Sequence, residues 1–149
     1  MKKNLVIINN EKCTEKDGDF YCENIEIKSI SENLSQNYNV KLILRKGNVV
    51  PVYKIYRSNT KISSNILSFV KNLILSTIKD RANYLIISVT PYTFCSFLIL
   101  FLFRKKIFLY LRSDGKKEIS IIFGKKLSII YKIIENVMVK FSNLIVVND

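Results

Sequence analysis

Histidine and tryptophan are both absent from this 149-residue chain. Without an imidazole there is no Ser-His-Asp or Cys-His nucleophile system and no histidine-ligated metal. Glycine is scarce, and Gly18, Gly47, Gly115 and Gly124 are its only occurrences. Their spacing yields neither a G-x-G-x-x-G loop after the first strand nor a Walker A loop. The three cysteines, Cys13, Cys22 and Cys95, form no C-x-x-C pair and are odd in number. They are expected to be free thiols in a reducing cytosol rather than a disulfide or zinc site. The first apolar run, Leu5–Ile8, is too short for the core of a secretory signal. Acidic side chains are scarce too, 12 against 24 basic ones, leaving a net charge of +12.

That charge is unevenly spread. Residues 11–32 hold seven acids against three lysines, whereas residues 104–140 hold ten basic residues against three acids. A basic stretch of this kind suits anionic lipid, phosphorylated ligands or nucleic acid. No aromatic RNA-binding strand or zinc-finger spacing accompanies it, so nucleic acid is not an expected partner. One stretch, 82–103, carries no charge and is followed by Arg104-Lys105-Lys106. Its length would span a bilayer, but Thr90-Pro91 divides it. It reads better as a strand, a turn and a buried helix.

A chain of about 150 residues buries roughly 68–70% of its unfolded surface, enough for one core without staples. We expect a single domain over 1–149. Apolar runs without alternation mark strands covered on both faces, as at Leu5–Ile8 and Tyr84–Val89, and Asn39–Leu44, Val52–Tyr56, Ile107–Leu111 and Asn143–Val147 also read as strands. Between them lie helical patterns. Ile27, Ile30 and Leu34 share one face, and Ser58–Arg81 carries an apolar stripe that includes Ile62, Phe69 and Leu73. Pro91 suits a first helical turn capped by Thr90. A long amphipathic helix is expected over Ile119–Phe141. Strands alternating with helices predict an α/β fold: a Rossmann-like, doubly wound parallel sheet of about six strands with helices on both faces.

Ligands of such sheets bind at the carboxyl ends of the strands. Three loops are expected there: Asp17-Gly18-Asp19-Phe20-Tyr21 after the first strand, Thr90-Pro91-Tyr92 after the fourth, and Arg112-Ser113-Asp114-Gly115 after the fifth. Carboxylates accept hydrogen bonds from sugar hydroxyls and can take a proton from one. Aromatic faces stack on a sugar's C–H face, and Arg112 suits a phosphate or carboxylate. Asp17-Gly18 and Asp114-Gly115 are also ordinary turn pairs.

These pieces, with Leu111–Gly115 after the fifth strand and the closing Asn143–Asn148, resemble the N-terminal domain of a GT-B glycosyltransferase of the family 4 (group 1) type. The resemblance spans nearly the whole chain. It implies half of a hexosyltransferase, which moves a sugar from a nucleotide-sugar to a saccharide or lipid-linked acceptor. The acceptor would lie against Asp19, Phe20, Tyr21, Thr90, Tyr92, Arg112, Ser113 and Asp114. Members of the family often carry a Gly-rich first turn and a histidine. This chain has neither, which leaves Asp17, Asp19 and Asp114 as candidate bases.

The resemblance also implies that the nucleotide-sugar binds a separate C-terminal domain. This half would then hold no cofactor or metal, and would be inactive until joined to a donor domain or partner chain. The basic segment adds an expected anionic membrane surface, and with it a cytoplasmic location peripheral to the membrane. The alternative is a non-enzymatic Rossmann-like subunit that binds a membrane surface or a partner.

Overall fold

The computed structural model describes residues 2–55, 60–79, 81–112 and 115–147. The fold is α/β, with a parallel-rich sheet between helices. Its strands are β1 (Lys3–Lys16), β2 (Asp19–Cys22), β3 (Tyr38–Lys46), β4 (Tyr53–Ile55), β5 (Thr60–Ser63), β6 (Ala82–Ile87), β7 (Ile107–Leu111) and β8 (Leu144–Val147). The helices are α1 (Ile25–Ser35), α2 (Ile66–Lys79), α3 (Pro91–Leu102), α4 (Gly115–Phe123) and α5 (Lys125–Phe141).

Parallel pairings run continuously from β5 through β3, β1, β6 and β7 to β8. Helices lie on both faces of the central strands, which are apolar where they are covered, whereas over β7 and β8 the α1 side is open and leaves Leu144 and Val146 exposed. Leu5, Ile7 and Leu42 pack with Ile27 of α1 on one face. Val6, Ile8, Ile86 and Leu109 pack on the other with Phe69 of α2, Phe97 and Leu100 of α3, and Met138 of α5.

Four local features differ from the sequence expectation. The first strand does not end at Ile8. It runs on to Lys16 and turns back through Asp17-Gly18 into β2, with Lys16 opposite Asp19. Asp17 (φ 52°) and Gly18 (φ 80°) both take left-handed backbone, the two-residue hairpin turn that Asp-Gly favours. β2 in turn pairs antiparallel with β4, so the strand near Val52 is not part of the parallel set. The expected helix from Ser58 loses its start to β5, which pairs with β3. α2 begins only after Asn65 and Ser68 exchange side-chain to backbone hydrogen bonds of 2.8 and 3.2 Å. The long helix over Ile119–Phe141 is broken at Gly124, whose φ of 84° no continuous helix contains.

The uncharged stretch 82–103 is β6, a turn and the twelve-residue α3. No described helix is long and apolar enough to cross a membrane.

Candidate functional site

The carboxyl ends of β1, β6 and β7 converge. Asn9 pairs with Ile87, and Ile87 with Tyr110. Just past them stand Glu11, Ser88 and Arg112. Ser88 is a non-glycine residue with φ 63°, an uncommon backbone state at a strand end.

Arg112 organises the α1 side of this edge. Its Nε lies 2.7 Å from Glu26 Oε2, and its Nη1 lies 3.9 Å from Glu11 Oε2. The first contact is an ion pair rather than an aligned hydrogen bond. Glu26 is delivered by the first turn of α1, which Asn24 caps by accepting from the Glu26 N–H at 2.9 Å. A carboxylate is favoured there by the helix dipole. Beside this group, Asn9 is buried. Its Oδ1 accepts from the Glu11 N–H at 3.0 Å, while its Nδ2 has no hydrogen-bond partner. A buried donor left unmatched costs about 1–3 kcal/mol.

On the other side of the edge is a cavity of ≈ 220 Å³, lined by Ser88, Thr90, Leu111, Arg112, Gly115 and Tyr131 among others. Arg112 therefore borders both the carboxylates and the cavity. Thr90 caps α3 as expected. Its Oγ1 accepts from the Thr93 N–H at 3.2 Å, and Thr93 Oγ1 accepts from the Thr90 N–H at 2.8 Å. Tyr92 is packed rather than open. The Arg45 guanidinium sits 4.6 Å above its ring, and Phe69 meets it edge-on at 5.4 Å. Arg45 is itself fixed by donating to Asn10 Oδ1 at 3.0 Å.

The structure does not gather the expected loop of residues 17–21 here. Asp17 is at the hairpin tip, and Asp19, Phe20 and Tyr21 belong to β2. The tip lies five strand residues beyond Glu11, about 16 Å of extended chain. Asp19 is held by Lys54 at 2.6 Å, and Phe20 packs into the α1-side core. Asp-Gly thus acts as a hairpin turn, and pairing with β1 and β4 makes the following residues a strand. Ser113 and Asp114 lie outside the described residues, so only Thr90, Tyr92 and Arg112 of the expected set are seen at this edge.

Glu11, Glu26, Asn9 and Tyr131 were not singled out from the sequence. The acidic bias of residues 11–32 was the available signal, and Arg112 is the opposite charge that Glu11 and Glu26 meet.

Cys13 and Cys22 face each other across the hairpin and are fully buried free thiols. Burial pushes Cys13 up to about 12 and Cys22 up to about 11, which keeps both protonated and unreactive. Among the described residues, no cluster of three metal-ligating side chains is present.

Fold and edge together describe an α/β protein with a parallel-rich sheet and a group of charged side chains beside a cavity at its carboxyl edge. No family model matches the chain, and no curated protein matches it. Among solved structures it is similar to Phytolacca americana UGT2, complexed with UDP-2fluoro-glucose and pterostilbene. The identity is 10% and the TM-score 0.48, over 87% of this chain. The chain spans 35% of the length of that protein.

Proposed function

We propose that this chain is the acceptor-binding half of a two-domain glycosyltransferase, the nucleotide-sugar being held by a separate donor domain or partner chain. The observation that carries the reading is the group at the carboxyl edge: Asn9, Glu11, Glu26 and Arg112 beside a cavity. A saccharide hydroxyl both donates and accepts. It can donate a hydrogen bond to a Glu11 or Glu26 oxygen and accept one from Arg112, which lines the cavity. Arg112 holds the carboxylates in place and offers its remaining N–H groups to a ligand oxygen. The resemblance of Leu111–Gly115 and of the closing Asn143–Asn148 to the N-terminal domain of a GT-B glycosyltransferase supports the same reading.

The acceptor edge is proposed to involve Thr90 and Arg112, with Ser113 and Asp114 following Arg112 in the chain. Asp114 is retained as a candidate base. Asp17 and Asp19, at the hairpin tip, are not carried forward. An acceptor that is a free saccharide or a lipid-linked one meets the same groups.

The test is binding by the full chain, using isothermal titration with a panel of oligosaccharides and, separately, UDP-glucose. The reading expects a saccharide to bind and Arg112→Ala to weaken it roughly 10-fold or more, since a charge-assisted hydrogen bond is worth about 1.5–3 kcal/mol. UDP-glucose binding to this chain alone with no saccharide binding would contradict it.

A further inference from the structure

The α4–α5 corner leaves a group of large apolar side chains in water. Ile121 is 85% exposed, Ile122 68% and Phe123 59%. Gly124 turns the chain with left-handed backbone, and exposed Lys125 and Lys126 follow at once. Along α5, Ile129, Ile130 and Ile133 continue the exposed apolar row beside Lys126, at the spacings of one helical face. Other positions of α5, among them Tyr131, Ile134 and Met138, pack against the core. The helix is therefore apolar on both its inner and outer sides.

Exposed apolar groups of this extent mark an interaction surface. Its charge indicates which kind. Residues 115–141, which form the two helices, carry six lysines against two acids, and one of those acids, Glu135, pairs with Lys132 at 2.9 Å. The cores of protein–protein interfaces are depleted of lysine. At a bilayer surface, by contrast, lysines beside apolar groups are favoured, because the stem lies along the acyl boundary while the ammonium reaches the headgroups.

We propose that the α4–α5 corner docks on an anionic lipid bilayer, with Ile121, Ile122 and Phe123 entering the acyl boundary and Lys125 and Lys126 on the headgroups. None of Ile121, Ile122, Phe123, Lys125 and Lys126 lines the cavity beside Arg112, and the inference stands independently of the saccharide reading. A monotopic contact of this kind needs no spanning helix.

Vesicle flotation of the full chain tests it, using phosphatidylcholine vesicles with and without phosphatidylglycerol. The chain is expected to float only with phosphatidylglycerol and to be released by salt. Lys125→Glu with Lys126→Glu should weaken binding by at least roughly 5-fold per lysine. Ile121→Ser, Ile122→Ser and Phe123→Ser together should abolish it. All of these positions are exposed, and an unchanged thermal melt verifies each variant's fold. Three results would overturn the proposal: no flotation with phosphatidylglycerol, flotation indifferent to these substitutions, or a solution dimer that buries this corner and leaves vesicles unbound.

Discussion

Arg112, at the end of β7, reaches the first turn of α1 and sets its Nε 2.7 Å from Glu26 Oε2. Two distant parts of the chain meet in this pair, and Glu11 of β1 joins them from 3.9 Å. The Arg112 side chain is 30% exposed and that of Glu26 39%. Water therefore screens the pair, and its worth to stability is small. Arg112→Ala is expected to cost about 1 kcal/mol or less, a fall in Tm of roughly 2–4 °C or less. Arg112→Lys should restore the melt but not saccharide binding, because an ammonium lacks the planar fork. Paired calorimetry of the two variants separates the structural part from the binding part.

The α3 cap makes a second prediction. Thr90 and Thr93 satisfy each other's backbone N–H. Thr90→Ala removes the acceptor for the Thr93 N–H and should cost about 1 kcal/mol. Thr90→Ser should keep most of it. Urea midpoints of the three proteins measure the difference, with an unchanged m-value showing that the unfolded state is not what moved.

Gly115 is a buried position where a Cβ would collide with the Tyr131 phenol. Alanine gains up to about 1 kcal/mol over glycine in a helix interior, and Gly115 is only the first residue of α4. Overpacking costs about 1–3 kcal/mol, so the clash should outweigh the propensity gain. Gly115→Ala is expected to be destabilising and to narrow the cavity. Combining it with Tyr131→Leu, which removes the hydroxyl and the far ring edge, should recover part of the loss in a thermal melt.

The hairpin thiols give a pH dependence with a definite sign. Cys13 is raised from the ordinary 9.0 to about 12 and Cys22 to about 11. In the unfolded chain both ionise near 9, so above that pH the native state binds more protons than the unfolded one. Their contribution is fully present below about pH 9 and is lost as pH rises toward 12. Urea midpoints should therefore fall above about pH 9, and less steeply in Cys13→Ala. At neutral pH a thiol reagent should label Cys95, which is partly exposed, before the buried pair.

Much of the fold was legible from the sequence because parallel strands announce themselves. Leu5–Ile8, Tyr84–Val89 and Ile107–Leu111 are apolar on both faces, and the helices between them show clear stripes. The cap at Thr90 and Pro91 was equally local and equally readable. What escaped depended on the partner. β5 is four residues long and is a strand only because β3 lies beside it. β2 and the end of β1 exist because Asp17-Gly18 folds them together, with Cys13 opposite Cys22. The α4–α5 break hangs on one glycine inside an otherwise continuous amphipathic pattern. At the site, Arg112 could be chosen from its position after a strand. Its partners could not, since Glu11 and Glu26 are 101 and 86 residues away in sequence and only the sheet order brings them near.

The central claim is that the carboxyl edge around Arg112 receives a saccharide. The most direct measurement is an amide NMR titration of the full chain with the oligosaccharide that binds best in calorimetry, followed by the same titration with UDP-glucose. The account predicts shifts confined to Asn9–Glu11, Ser88–Thr90, Glu26 and Arg112 with the saccharide, their loss in Arg112→Ala, and no comparable shifts with UDP-glucose. Saccharide shifts elsewhere on the molecule, or an edge that responds to UDP-glucose alone, would contradict it.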